Sequence, residues 1–191
     1  MQTFGESWAF CQLRHGPRVI RLPRPLTDRR AMLYHIALGC NLGNRTQQLQ
    51  SAVAHLQHLG IVVAKSCMYD TAPMYVTDQP AFANAVVALR TTLTPWELLF
   101  ALHQIERLHG RIRTLPNGPR TLDLDILDAE SLQIDDSDVQ LPHPRLAERP
   151  FVVFPLLDIA PHWTHPVTGE SIVLLAARLE RPPVLVDATH W

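Results

Sequence analysis

The sequence predicts an α+β domain built on a ferredoxin-like β-α-β-β-α-β core, with two helices on one face of an antiparallel sheet. Two observations lead to this fold class. Four segments have the apolar runs or the period-two alternation of strands, and two others place apolar residues at helical spacing after a capping signal. Their order is strand, helix, strand, strand, helix, strand, and we expect C-terminal helical additions beyond this core.

Length and composition favour a single domain. With 191 residues, 47% of them hydrophobic, the chain is long enough for one well-cored domain and too short for two of ordinary size. We divide it into an N-terminal tail, residues 1–31, and a domain, residues 32–191. The net charge of −1 argues against nucleic-acid partners, and the lack of any run of about 18 apolar residues argues against a membrane span. We expect small-molecule partners and a monomer.

The cysteines and the tail bear on location. Cys11, Cys40 and Cys67 form neither a disulfide framework nor a Cys-x-x-Cys motif, which favours a reducing, cytoplasmic compartment. The tail is rich in arginine and proline without a sustained hydrophobic period, so we expect it to be poorly ordered. Two alternatives stay open for it: a weak likeness to an organelle transit peptide, and a translation start at Met32.

The first half of the core begins with the apolar run Tyr34–Leu38, which predicts a strand. Asn44, with Gln47 three residues later, makes a capping box, and a helix follows. The apolar face of this helix consists of Leu49, Ala52, Val53, Leu56 and Leu59. A second strand is predicted over Ile61–Tyr69, and then a loop of about ten residues, 71–80, of a length that is commonly functional.

The second half of the core starts with a strand over Asn84–Leu89. The stretch Thr94-Pro95-Trp96-Glu97 combines a capping box with proline at the first helical position, and a second helix follows. Its predicted apolar face consists of Leu98, Ala101, Leu102, Ile105 and Leu108. The strand that closes the core lies in residues 118–126.

Beyond the core, the acidic stretch 135–138 predicts an exposed turn or hairpin. The proline-rich stretch 141–155, around His143, cannot form one regular element. Short helical segments are predicted over residues 156–163 and 172–179.

Asp123 and Asp125 lie in the stretch Gly-Pro-Arg-Thr-Leu-Asp-Leu-Asp-Ile, residues 118–126, where they alternate with apolar residues. Both carboxylates therefore share one face of a strand. At the rise of a β-strand their Cα atoms lie about 6.6 Å apart, within reach of one hard cation such as Mg²⁺ or of a pair. The spacing alone favours the alternative, a strand whose polar face is merely solvated.

Charged residues just before this strand shift the balance toward a nucleotide site: Glu106, Arg111, Arg113 and Arg120. Guanidinium forks bind phosphate oxygens, and a metal ion can bridge them. The only lysine, Lys65, lacks the glycines of a phosphate-binding loop, and no dinucleotide-binding fingerprint occurs. A solvated basic loop is the alternative.

Several longer motifs occur together in this chain: Ala37-Leu-Gly-Cys-Asn-Leu-Gly43, Asp78-Gln-Pro80 followed by Phe82 and Asn84, Ile105-Glu106, Gly110-Arg111-x-Arg113, the stretch 118–126 and Leu141-Pro-His-Pro144. In their order and spacing they resemble the 6-hydroxymethyl-7,8-dihydropterin pyrophosphokinases of folate synthesis, over residues 33–180. The resemblance implies transfer of pyrophosphate from ATP to the hydroxymethyl group of a reduced pterin, with release of AMP. It also implies two Mg²⁺ ions, held by Asp123 and Asp125, that bind together with ATP as co-substrate.

The resemblance assigns further residues to roles. It places the pterin between the rings of Phe82 and Phe151, with its polar edge read by Asn84 and by the loop residues Thr71, Pro73 and Met74. The implied catalytic set is Arg111, Arg120, Asp123 and Asp125. The residues implied on the ATP side are Glu106, Arg113, Ile126, His143 and Arg149.

Some residues depart from the family pattern. Asn117 stands where many members have a tryptophan that folds over the site, Pro144 where some have tyrosine, and His103 where a glutamine lies near the nucleotide. Cys40 replaces a serine without expected effect. Two other readings stay open: a non-catalytic relative that binds nucleotide or pterin and signals through a partner, and an enzyme of the same chemistry acting on another hydroxymethyl heterocycle.

Overall fold

A computed structural model describes residues 29–112, residues 116–179 and Trp191. Within these ranges the strands are β1 (Met32–Cys40), β2 (Ile61–Lys65), β3 (Tyr69–Thr71), β4 (Phe82–Thr91), β5 (Asp123–Ala129), β6 (Ile134–Asp135) and β7 (Gln140–Leu141). The helices are α1 (Arg45–Leu56), α2 (Pro95–Leu108), α3 (Pro150–Ile159) and α4 (Ile172–Ala177), and a turn of 3₁₀ helix spans Leu146–Glu148.

The main sheet has the strand order β2-β4-β1-β5, and β3 also pairs with β4. All of these pairs are antiparallel. With α1 after β1 and α2 after β4, the elements β1, α1, β2, β4, α2 and β5 reproduce the predicted ferredoxin-like core, which is confirmed. The acidic stretch forms the predicted hairpin, from β6 and β7.

Helices α1 and α2 cover one face of this sheet, and each starts where its capping signal predicts. Asn44 accepts a hydrogen bond from the Gln47 amide at 3.1 Å, and Thr94 and Glu97 form a reciprocal capping box before α2. Between helices and sheet lies the larger apolar core, to which the helices contribute Leu49, Ala52, Val53, Leu56, Leu98, Leu102 and Ile105. Leu59 packs against it from its edge.

Leu108 was predicted on the buried face of α2, and this is wrong: it is 73% exposed. The buried face of α2 is centred on Leu98, Leu102 and Ile105. Ten residues after Leu98 a helix has turned to about 80° away from that residue, so Leu108 lies at one margin of the buried face. The buried position in this last turn belongs to Glu106 instead.

The opposite face of the sheet is covered by α3 and α4, over a second, smaller core. The prediction that helix begins at Leu156 is wrong, because α3 begins at Pro150. Proline is well tolerated at a first helical position, where its missing amide has no intrahelical partner, and the backbone carbonyl of Arg149 accepts the amides of Val152 and Val153. Pro155 then lies inside the helix, at the loss of one hydrogen bond.

One predicted strand is divided in the structure. The expected strand over residues 61–69 is divided into β2 and β3, which pair with different parts of β4. β2 lies at the edge of the sheet, where Ile61 and Val63 are exposed.

In the part of the chain that the structure describes, no helix is both long and apolar enough to cross a membrane. Only residues 29–31 of the N-terminal tail are described. There Arg29 donates a hydrogen bond to Glu97 at 2.6 Å, so the end of the tail contacts the start of α2.

Candidate active site

A cleft opens on the α3 side of the sheet. Its floor is formed by the ends of the central strands, where Gly39 of β1 pairs with Asn84 of β4 on one side and with Asp123 of β5 on the other. Gly39 has to be small, because a Cβ at this position would lie 2.8 Å from the Oδ1 atom of Asn84. Loop residues 71–79 and the start of α3 form the walls of the cleft.

Asp123 and Asp125 both line this cleft, while Leu124 and Ile126, between and beyond them, are buried in the larger core. The predicted shared face of the two carboxylates is therefore confirmed. Asp123 is 21% exposed and Asp125 is 40% exposed. Among the described residues no group of three or more His, Cys, Asp or Glu could hold a metal ion, so a cation here would take its further oxygen ligands from water or from a bound substrate.

The surroundings of Asp125 disfavour its charged form, so a bound cation would stabilise this carboxylate. Desolvation and then the negative charge of Asp123 raise the pKa of Asp125 to about 6. The nearest guanidinium to it is that of Arg149, at 3.6 Å from Oδ2. Two neighbouring carboxylates offer the hard oxygen atoms that Mg²⁺ prefers.

Asp123, in contrast, is fully engaged by arginine. Its Oδ1 accepts from Arg111 and its Oδ2 accepts from Arg120. Arg111 comes from the chain just after α2, and Arg120 from the end of the following loop. The structure therefore brings the two predicted arginines and the first aspartate into direct contact.

Glu106 acts behind this group. It is 2% exposed, and its Oε1 accepts both from Arg111 and from the backbone amide of Leu124, the latter at 2.9 Å. The carboxylate thus connects the end of α2 to β5 and orients Arg111. Glu106 lines neither this cleft nor the second cleft that continues from it, so a direct contact between Glu106 and a nucleotide stays a prediction.

A second, open cleft of about 1080 Å³ continues from the first. The two clefts share Asn117, Arg120, Asp123, Asp125 and Arg149. Arg111, His143 and Arg145 line only the second cleft. The aspartates and two arginines therefore stand at the junction between a partly apolar pocket and a strongly basic groove.

Phe82 and Phe151 line the first cleft, as predicted for the pair of stacking rings. Each ring has a guanidinium near it: the Arg120 carbon lies 5.5 Å from the Phe82 centroid, and the Arg149 carbon lies 5.5 Å from the Phe151 centroid. The aromatic part of the pocket is thus connected directly to the basic part.

Asn84 provides the polar end of the pocket. It is 7% exposed and donates from Nδ2 to the Thr71 hydroxyl at 2.7 Å. The amide oxygen and the second amide hydrogen are still available to a ligand. Met74 also lines this cleft and is 47% exposed, whereas Pro73 is not among the lining residues.

His143 carries a neutral imidazole beside the arginines. Its Nδ1 accepts from the Arg145 amide at 3.1 Å, which requires an unprotonated Nδ1. Desolvation and then the charges of Arg149 and Arg145 lower the pKa of His143 to about 4. The proton of the neutral ring is then on Nε2, where it can be donated to a phosphate oxygen.

Two other predicted residues are less directly placed. The side chain of Ile126 lies in the larger core and lines neither cleft, so that any contact with nucleotide would have to come from its backbone. Arg113 lies outside the described residues.

Residue-level prediction missed a hydrogen-bonded network that connects three loops. Asn41 donates from Nδ2 to Gln79 at 3.0 Å and accepts from the Arg120 amide at 2.7 Å. Gln79 in turn donates to the carbonyl of Asn117 at 3.0 Å. Asn41 and Gln79 both lie in motifs quoted for the family resemblance, which was the available signal, but neither was assigned a role.

The chain is similar to known proteins in sequence and in fold. A family described as 7,8-dihydro-6-hydroxymethylpterin-pyrophosphokinase matches residues 35–161. The chain is 46% identical over 127 residues to the Bacillus subtilis 2-amino-4-hydroxy-6-hydroxymethyldihydropteridine pyrophosphokinase, a match that covers 65% of this chain and 76% of that protein. It is 47% identical over 139 residues to the Pneumocystis carinii folic acid synthesis protein fol1, covering 72% of this chain and 19% of that protein.

The chain therefore spans about a fifth of the length of such fungal relatives. Among solved structures it is similar to the wild-type Plasmodium falciparum HPPK-DHPS, with a TM-score of 0.64 and 14% identity, over 80% of this chain and 46% of that one. At this identity the likeness shows a shared fold.

Proposed function

The chain belongs to the 7,8-dihydro-6-hydroxymethylpterin-pyrophosphokinase family, and we propose that it transfers pyrophosphate from ATP to the hydroxymethyl group of 6-hydroxymethyl-7,8-dihydropterin, releasing AMP, as a step of folate synthesis. The observation that carries this proposal is the junction of the two clefts. An aromatic pocket for a flat heterocycle opens into a basic groove at a pair of aspartates, so a heterocycle and a polyphosphate bound side by side would meet there.

The first cleft suits the pterin. Phe82 and Phe151 offer aromatic faces for a planar ring, and stacking of this kind favours flat heterocycles over aliphatic substrates. The amide of Asn84 offers a donor and an acceptor to the edge of the ring, beside the Thr71 hydroxyl. We propose Pro73 and Met74 as additional contacts from the neighbouring loop.

The second cleft suits the triphosphate of ATP. Arg111, Arg120 and Arg149 present guanidinium groups, which bind phosphate oxygens in a bidentate manner. We propose that His143 donates from Nε2 on this side, and that Glu106, Arg113 and Ile126 complete the nucleotide side. Glu106 does so by orienting Arg111.

Asp123 and Asp125 are the residues that would hold Mg²⁺, and we propose that two ions bind with ATP. A bound Mg²⁺ would supply positive charge to the phosphate oxygens while charge develops on them. The residues of this chain then have to hold the hydroxymethyl group in line with the β-phosphorus and keep water away from it.

The bond changes balance as follows. The hydroxymethyl oxygen of the pterin forms a bond to the β-phosphorus, and the bond from that phosphorus to the oxygen shared with the α-phosphorus breaks. AMP leaves with that oxygen and its electron pair, and the hydroxyl proton passes to solvent. We propose that Arg111 and Arg120, which both contact Asp123, stabilise the negative charge that moves toward AMP.

We further propose that the chain acts on these two small molecules as a monomer in a reducing, cytoplasmic compartment. The free thiol of Cys40, which is buried, supports the compartment.

The proposed reaction is tested by incubating the purified protein with Mg-ATP and 6-hydroxymethyl-7,8-dihydropterin and following AMP and the pterin pyrophosphate together. Formation of both in equal amounts is expected. Formation of ADP would instead indicate transfer of a single phosphate. Binding of both ligands without any product would indicate a non-catalytic relative, and product from a different hydroxymethyl heterocycle alone would indicate another substrate.

A further inference from the structure

The two aspartates of the site differ in their surroundings. Both oxygens of Asp123 accept from guanidinium groups, one from Arg111 and one from Arg120. Asp125 has only the more distant Arg149, at 3.6 Å. A divalent cation that approaches the pair therefore finds one accessible carboxylate and one that is already neutralised.

The charges around the pair extend this difference. In direct contact among the described residues are three carboxylates, from Asp123, Asp125 and Glu106, and three guanidiniums, from Arg111, Arg120 and Arg149. Arg145 lines the same cleft and adds positive charge. A bare cation thus meets at least as much positive as negative charge, which is an unusual environment for a metal site.

We propose that Arg111 and Arg120 compete with divalent cations for Asp123, and that a triphosphate removes this competition by taking over the two guanidiniums. The inference rests on the proposed function, because it assumes that the basic groove binds a triphosphate. It adds an order to that function: the site discriminates against a free cation and accepts a cation together with a triphosphate.

The physical basis is the change of partner. A guanidinium that faces a carboxylate repels a cation placed on the same oxygen atoms, and at about 4 Å such repulsion is large unless solvent screens it. Triphosphate oxygens are equally good partners for the forked donors of arginine. Once Arg120 has turned to phosphate, the Asp123 oxygens are free for the metal, and the same arginine now stabilises the complex instead of opposing it.

Mn²⁺ binding, followed by electron paramagnetic resonance without pterin, tests the competition. The main variant is Arg120→Gln, and Arg111→Gln is a second variant. Arg120→Lys keeps the charge, and Arg178→Gln, which removes an exposed arginine paired with Glu170, is the matched control. Each protein is titrated with Mn²⁺ alone and with Mn²⁺ in the presence of α,β-methylene-ATP, in which the bond that would break is replaced.

The expected result is that the effect of Arg120→Gln on Mn²⁺ affinity changes sign when the ATP analogue is present. Without nucleotide, Arg120→Gln should bind Mn²⁺ about tenfold more tightly than the parent, and with the ATP analogue it should bind Mn²⁺ about tenfold more weakly. Arg120→Lys and Arg178→Gln should resemble the parent in the titration without nucleotide. Circular dichroism and melting temperature identify any variant that has not folded, and Arg111→Gln then replaces Arg120→Gln as the deciding protein.

The competition is overturned if neither glutamine variant binds free Mn²⁺ more tightly than the parent, or if Arg120→Lys gains as much as Arg120→Gln. The outcome is separate from that of the proposed reaction. If the effect on Mn²⁺ affinity changes sign but no AMP forms, the competition is supported and the proposed reaction is contradicted. If AMP forms but the effect on Mn²⁺ affinity does not change sign, the proposed reaction is supported and the competition is contradicted.

Discussion

The guanidinium carbon of Arg120 lies 5.5 Å from the ring centroid of Phe82, although the two residues are 38 positions apart in the chain. Arg120 also contacts Asp123, so one side chain touches both the aromatic wall of the first cleft and the carboxylate at the junction. The heterocycle end and the phosphate end of the site are therefore mechanically connected. A substitution at one end of the site should therefore alter ligand affinity at the other end by an amount that binding measurements can resolve.

The first prediction concerns the two rings. Phe82→Ala or Phe151→Ala should weaken pterin binding by about 2–4 kcal/mol, since a stacking contact and its burial are both lost. Binding of an ATP analogue should weaken much less in both variants. Phe82→Ala should still have a small effect on it, because Arg120 loses its aromatic neighbour. Calorimetry with each ligand measures both effects.

Phe100→Ala is the control for this comparison, because Phe100 is an aromatic residue on the outer side of α2 and is 65% exposed. It should leave both affinities unchanged. Equal losses for pterin and nucleotide in the two cleft variants would mean that Phe82 and Phe151 act as ordinary core residues, and the stacking role would be abandoned.

The second prediction concerns the tail. Deleting residues 1–31 should leave folding and activity nearly unchanged, but the contact from Arg29 to Glu97 gives this deletion a small measurable cost. Glu97 is 41% exposed, so the pair is screened by solvent and its contribution to stability should be small. Deleting residues 1–28 keeps Arg29 and is the matched control.

The pH dependence of this cost has a definite sign. The hydrogen bond from Arg29 is the first cause that lowers the pKa of Glu97 to about 2. A lowered carboxyl pKa stabilises the fold above the unfolded value of about 4.3, and this stabilisation is lost as the pH falls toward 2. The difference in melting temperature between the two deletions should therefore be present at pH 7 and shrink below about pH 4. A loss of many degrees at pH 7 would show that the tail is part of the folded domain.

The third prediction uses His143. Its pKa is lowered to about 4, so on acidification the unfolded chain takes up this proton near pH 6.5, before the folded protein does. The stability contributed by the neutral ring is complete above about pH 6.5 and is lost as the pH falls toward 4. His143→Gln keeps a hydrogen-bond acceptor for the Arg145 amide but cannot titrate, so its stability should fall less over this range.

Asp125 acts in the opposite direction in part of the same range, because its raised pKa makes stability fall as the pH rises from about 4 to about 6. For this reason the measurement is the difference between the parent and His143→Gln in urea unfolding at each pH, from which Asp125 cancels. An NMR titration of the ring gives the pKa directly. A value near 6.5 in the folded protein would contradict the buried, neutral imidazole.

Local sequence patterns were sufficient for the core, because its determinants lie close together in the chain. The capping residues Asn44 and Thr94 and the alternation around Asp123 are each read within a few positions, and each element appears where they predict it. What could not be predicted depends on contacts between distant segments. Leu108 has a helical apolar spacing but is exposed, and only the tertiary arrangement shows this.

The site shows the same division. The shared face of Asp123 and Asp125 follows from the period of a strand. The connection of Asn41 to both Gln79 and Arg120 requires segments that are 38 and 79 positions apart in the sequence to meet. Asp123 lies only 12 and 3 positions from Arg111 and Arg120, but its pairing with both depends on the path of the loop between α2 and β5. Family resemblance supplied the roles of the motifs, but the pairing within the site came only from the folded structure.

The last prediction separates the two aspartates by stability. Two carboxylates this close together repel each other, so on their spacing alone Asp123→Asn and Asp125→Asn would each slightly stabilise the protein without metal. The contacts now support this only for Asp125, whose pKa is raised. Asp123→Asn leaves Arg111 and Arg120 without their charged partner and should lower the free energy of unfolding by about 1–3 kcal/mol.

Turnover should not separate them. If both carboxylates hold Mg²⁺ against the triphosphate, either substitution removes a negative charge that the metal requires, and AMP release should fall by at least about 10³, or roughly 4 kcal/mol of transition-state stabilisation. A purely structural pair would show the reverse: lower melting temperatures with turnover nearly intact. Melting temperature without Mg²⁺ and AMP release with it, measured on both variants, distinguish the two cases. Near-normal AMP release from either variant would rule out that aspartate as a metal ligand. Full stability with lost turnover in Asp125→Asn would show that the Asp125 carboxylate is required for the reaction and not for the fold.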